Sequence, residues 1–107
     1  MQRLSTNGEA LQYVIPIEEW QLTIVTALGD TVIGSGAQIL VNSIRAGGLA
    51  ALVGAVGIKQ GATVIGQLPA LAALGTERRY DGVKITNLTI NLASAGDKVL
   101  VFWKPIP

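Results

Sequence analysis

Cysteine and histidine are both absent from this chain of 107 residues. Without cysteine there is no disulfide framework and no thiolate metal site. Without histidine the commonest general base and the commonest neutral metal ligand are missing together. Charge is scarce as well: Asp, Glu, Lys and Arg make up 14% of the residues, against roughly 25% in an ordinary soluble domain. The formal net charge of +1 offers no global attraction to nucleic acid or to an acidic partner. The composition therefore predicts no metal, no cofactor, no nucleic acid and no enzyme activity.

What is plentiful is apolar surface. Hydrophobic residues make up 50% of the chain, and the mean hydropathy is +0.48. A chain this short forms one domain with a high surface-to-volume ratio, so part of its apolar surface must meet other protein or lipid. The opening "MQRLSTNGEALQ" has a single Arg and no apolar run behind it, so it does not read as a secretory signal. The expectation is a polar N-terminal arm over residues 1–12 and one β-rich domain over 13–107. The arm has too little apolar content to offset its ordering entropy and is expected to order only against a neighbouring subunit or a shell.

The longest charge-poor stretch runs from Ala46 to Thr76, with Lys59 as its one charge. Its length suits a membrane span. Gly47, Gly48, Gly54, Gly57 and Gly61 would each weaken a helix by about 1 kcal/mol relative to Ala. Lys59, Gln60 and Pro69 interrupt it further, and no basic cluster flanks it. Short strands and tight turns are predicted instead, with no membrane partner. Only "LPALAALG", with Pro69 at its start and Gly75 at its end, suits a turn or two of helix.

Strand signals fill the rest. "WQLTIVTA" puts Trp20, Leu22 and Ile24 on one face and Gln21, Thr23 and Val25 on the other. Gly29-Asp30 would end that strand. "TVIGSGAQILVNSI" reads as an interrupted strand bent at Gly34 and Gly36. "GVKITNLTINLASAGDKVLVFWKP" reads as a long hairpin turning at Ser94–Asp97. Within it the apolar parity switches between Ile85 and Leu88, which predicts a bulge. The unbroken apolar run Val99–Trp103 predicts a strand covered on both sides. These short strands fit an all-β antiparallel sandwich or jelly roll.

Chemistry-bearing patterns are few. Glu18 and Glu19 are adjacent, so on a strand they point to opposite faces and cannot act as a dyad. Ser5, Ser35, Ser43 and Ser94 have no histidine to activate them. Neither "GSG" at 34–36 nor "GAVGIKQG" at 54–61 contains the Gly-Lys-Ser/Thr of a phosphate loop. "TERRYDGVK", from Thr76 to Lys84, mixes both signs and reads as a solvated loop. Asn87-Leu88-Thr89 matches the glycosylation triplet but falls inside a predicted strand.

The polar arm, the Gly/Ala/Val-rich middle and the ending "NLASAGDKVLVFWKPIP" resemble small accessory virion proteins of tailed bacteriophages. These are capsid cement or decoration proteins and head-fibre subunits. The resemblance implies a homotrimer or another symmetric state, attachment to a capsid or other virion protein, and assembly in the host cytoplasm. It carries over no binding residue. The expected function is thus a non-enzymatic structural protein that self-associates and docks on a larger assembly. The alternative is a β-sandwich module that binds a carbohydrate or a protein partner.

The strands Trp20–Thr26 and Leu88–Leu92 are expected to supply the core. The low-relief segment Ala46–Gly75 is expected to form the subunit interface through Leu49, Leu52, Val53, Val56, Ile58, Val64, Ile65, Leu68, Leu71 and Leu74. Arg78, Arg79 and Tyr80 are expected on its rim. An Asp at position 53 or 56 should then separate the subunits.

Overall fold

A computed structural model describes residues 20–48 and 50–106. Eight strands account for most of them: β1 (Gln21–Val25), β2 (Gly29–Val32), β3 (Gln38–Gly47), β4 (Val56–Gln60), β5 (Thr63–Leu68), β6 (Glu77–Thr86), β7 (Leu88–Leu92) and β8 (Lys98–Pro105). They form two four-stranded sheets, ordered β1-β8-β3-β6 and β2-β7-β4-β5, with every pairing antiparallel. First pairs with last, second with seventh, third with sixth and fourth with fifth. That nesting is the double Greek key of a jelly roll.

The core lies between the sheets. Val41, Ile44, Val99 and Val101 of the first sheet meet Val56, Ile58, Leu88 and Ile90 of the second, all fully buried. β-Branched and leucine side chains at alternate positions supply this layer, as the pleat requires. Trp103 packs against it and donates its Nε1–H to Thr23 Oγ1 at 2.9 Å.

Several expectations are corrected by this topology. β7 and β8 do not pair with each other: the Ser94–Asp97 turn carries the chain from one sheet to the other. The parity switch between Ile85 and Leu88 is likewise a change of sheet, made at Asn87 with φ 56°, and not a bulge within one strand. One corner reads locally as a hairpin turn and the other as a bulge because neither set of residues records which sheet the next strand joins. Gly29 opens β2 and does not close β1. Residues 69–76 form successive turns without a helix, with Leu71 at φ 65°. "TERRYDGVK" is the long edge strand β6 and not a loop.

The largest reversal concerns β1. Gln21, Thr23 and Val25 pair with Trp103, Val101 and Val99, whose side chains face the core. The more apolar set, Leu22 and Ile24, therefore points outward and is about half exposed, at 50% and 54%. Of Trp20–Thr26, only Val25 belongs to the buried core. Leu88–Leu92 does supply core, through Leu88, Ile90 and Leu92.

Candidate functional site

The strand nesting gathers four connections at one end of the sandwich: 26–28, 48–55, 69–76 and 93–97. Hydrogen bonds tie them into one surface. Leu52 N–H donates to Ala72 O at 2.9 Å and Gly75 N–H to Ala46 O at 3.1 Å. Val53 and Gly54 N–H groups donate to the Asp97 carboxylate at 3.0 Å each. The pairings Val25–Val99 and Gly29–Leu92 bring the 26–28 turn beside the 93–97 turn.

This end carries almost no charge. Within the four connections Asp97 is the single charged residue among the described ones, with the exposed Lys98 next to it, and Asp97 is buried with its carboxylate held by backbone amides. Around it Leu28, Val53, Leu71 and Leu74 project into solvent, Val53 at 63% and Leu71 at 76% exposure. Exposed alanines at 27, 50, 51, 70, 73, 93 and 95 fill the spaces between them. Loops are usually polar because they run over the surface beside water. An end built from Ala, Leu, Val and Gly is an exposed apolar patch of the kind that ordinary loops avoid.

A shallow concavity of about 270 Å³ opens here, lined by small side chains such as Gly47, Ala51 and Ala95, with Lys98 at its margin. It falls below the usual range of small-molecule pockets, about 300–1,000 Å³, and lacks their aromatic lining. The described aromatic residues are engaged elsewhere. The Arg45 guanidinium lies 5.6 Å from the Phe102 ring centroid and the Lys104 ammonium 5.6 Å from that of Trp20. Trp103 and Tyr80 pack on the core.

The expected interface residues divide sharply. Leu52, Val56, Ile58 and Leu68 are fully buried inside a single chain, so they cannot face a neighbour. Their strands alternate inward and outward, and the inward positions are consumed by the chain's own core. Val53, Leu71 and Leu74 lie on the loop end, and Val64 is exposed on the outer face of the second sheet. Ile65 is partly buried against the core, and Leu49 lies outside the described residues, as do 1–12. Of the expected rim, Arg79 faces outward, bonded to Asp81 at 2.9 Å and Glu77 at 3.5 Å. Arg78 and Tyr80 lie over Gly66 of β5, where a Cβ would stand 2.8 Å from the Tyr80 hydroxyl. That hydroxyl is buried without a hydrogen-bond partner.

A second surface was not foreseen from the sequence. On the outer face of the first sheet, Ile24 and Leu100 share a row with Arg45 and Glu77, and Leu22 and Phe102 share the next with Ser43 and Arg79. The β1–β8 half of that face is an apolar stripe. The β3–β6 half is an ion-pair ladder running Arg45–Glu77–Arg79–Asp81. The signal was present in the alternation of β1, but alternation alone does not say which face is the inner one.

On the opposite sheet Asp30 accepts from Asn91 Nδ2 at 2.7 Å and from Lys59 Nζ. The Asn91 hydrogen bond, then the Lys59 hydrogen bond and charge, hold its carboxyl below the usual aspartate range. These three groups satisfy one another across β2, β7 and β4.

Comparison of the chain with known proteins finds no match to a family model, a curated protein or a solved structure. Among the described residues no helix is long and apolar enough to cross a membrane.

Proposed function

We propose that this chain is a non-enzymatic structural protein that self-associates and docks on a larger assembly through the four-loop end of its jelly roll. The observation that carries the reading is the near absence of charge from four loops converging on one surface, with Leu28, Val53, Leu71 and Leu74 exposed on it. Apolar area removed from water stabilises by about 25 cal/mol per Å², so such an end is driven toward an apolar protein counterpart. Low relief from Ala and Gly favours close backbone approach over enclosure of a ligand.

A bacteriophage capsid decoration, cement or fibre component is the assembly role that best fits. The jelly roll is an architecture of viral capsid domains, which supports this by analogy of fold. The same fold serves lectins, but the engaged aromatics and the small, alanine-lined concavity favour a protein contact over a sugar site.

The test is to probe density-gradient-purified phage particles from the source culture with an antibody to this chain and by mass spectrometry. Stoichiometric presence on intact particles supports the reading. Absence from particles, together with binding on a glycan array or flotation with liposomes, would overturn it.

A further inference from the structure

We propose that β1 is a self-pairing edge, through which two copies of the chain join antiparallel across a two-fold axis and continue the β1-β8-β3-β6 sheet. This rests on the self-association reading above and names its surface. An edge strand presents unpaired backbone N–H and C=O groups, which proteins usually protect with charge, proline, bulges, brevity or a cover.

Three of the four described edges are protected. β6 carries Glu77, Arg78, Arg79, Asp81 and Lys84 and bends at Asp81 and Gly82, both at positive φ. β5 is overhung at Gly66 by Arg78 and Tyr80. β2 has only four residues. β1, with the sequence QLTIV, has no charge, no proline and no bulge, and no described strand pairs with its outer edge.

The strand is also complementary to itself. With Thr23 opposite Thr23 of the second copy, Leu22 faces Ile24 and Gln21 faces Val25 across the axis. Leu22 and Ile24 are the two half-exposed side chains on the outer face, so each gains an aliphatic partner, with Leu100 and Phe102 flanking them on β8. The inward set remains the set that already faces the core.

Charge does not oppose the join. Among the described residues, the charged groups of this face sit on β8, β3 and β6. Antiparallel pairing sends the Lys104 side chains of the two copies to opposite ends of the seam, three strand spacings apart laterally. That is more than the screening length of about 10 Å at ordinary salt. Two five-residue edges bury less than the roughly 1,200 Å² of a standard stable interface. The dimer is therefore concentration-dependent.

The chain has no cysteine, which makes a cross-linking test clean. In the double variant Leu22→Cys/Ile24→Cys the two thiols of one chain are about 7 Å apart along the strand, too far to bridge each other. In the two-fold register each faces the other's counterpart. Mild oxidation of the full chain should give a covalent dimer on a non-reducing gel. Ile24→Lys, a change at a half-exposed position, should keep the melting temperature and weaken self-association at least about tenfold by burying an unpaired ammonium. If the unmodified chain assembles but the cysteine pair stays uncross-linked and Ile24→Lys assembles normally, this seam is wrong while self-association stands. A wild-type chain that never associates overturns both.

Discussion

Asp97 shows how one side chain organises the loop end. Its carboxylate accepts from the Val53 and Gly54 amides, 44 and 43 residues away, and so fastens the 48–55 loop to the turn before β8. Hydrogen bonds to a charged acceptor contribute about 1.5–3 kcal/mol each when lost from a partly buried site. Asp97→Ala removes the acceptor of both amides and should lower stability by about 3–6 kcal/mol, measured by urea denaturation, with faster amide exchange at Val53 and Gly54. Unchanged exchange there would deny the clamp. The sequence marks Asp97 only as a turn residue, since a partner so remote in the chain leaves no local signal. Asp30 is the second case. Its folded carboxyl titrates below the usual range, so whatever stability it lends is present above the unfolded value and is lost as pH falls through the folded one. Asn91→Ala should raise the Asp30 midpoint in an NMR titration, and Lys59→Met should raise it too, since the Asn91 bond and the Lys59 bond and charge all lower it.

Individual strands were legible where their pattern was local. The bend at Gly34 and Gly36 separates β2 from β3, and both glycines take positive φ there. The apolar run Val99–Trp103 became β8, paired on both edges, but it is not covered on both faces as expected: Leu100 and Phe102 point outward and are only half-buried. Orientation was not legible. β1 alternates cleanly, yet its more apolar face points out, because register with β8 and the Thr23–Trp103 hydrogen bond decide which face turns in. The stretch from Ala46 to Thr76 illustrates the same limit, being one composition divided among core strands and exposed loops. Val56 and Val53 therefore behave differently under the same change. Val56→Asp buries a carboxylate with no partner and should abolish the cooperative thermal transition, a penalty of several kcal/mol. Val53→Asp should melt near the wild type and lose only docking. Circular dichroism melts of the two variants check this, and similar melts for both would contradict the assignment of inside and outside.

At the scale of the whole molecule, composition already required that apolar surface be left over, and among the described residues the structure concentrates most of the surplus in two separate places. One is the β1–β8 stripe on a sheet face and the other is the uncharged loop end. The sandwich class followed from strand spacing, but the nesting of first with last strand depends on pairings between residues some 80 apart, such as Gln21 with Trp103. No local pattern encodes those. These two apolar surfaces, open among the described residues, are the ground of the proposal that the chain associates with neighbours. The most direct test of that claim is the molar mass of the unmodified chain in solution, followed by light scattering across the micromolar concentration range. The mass is predicted to rise from that of one chain toward a symmetric multiple as concentration increases. A monodisperse mass of one chain, constant at every concentration, would contradict it.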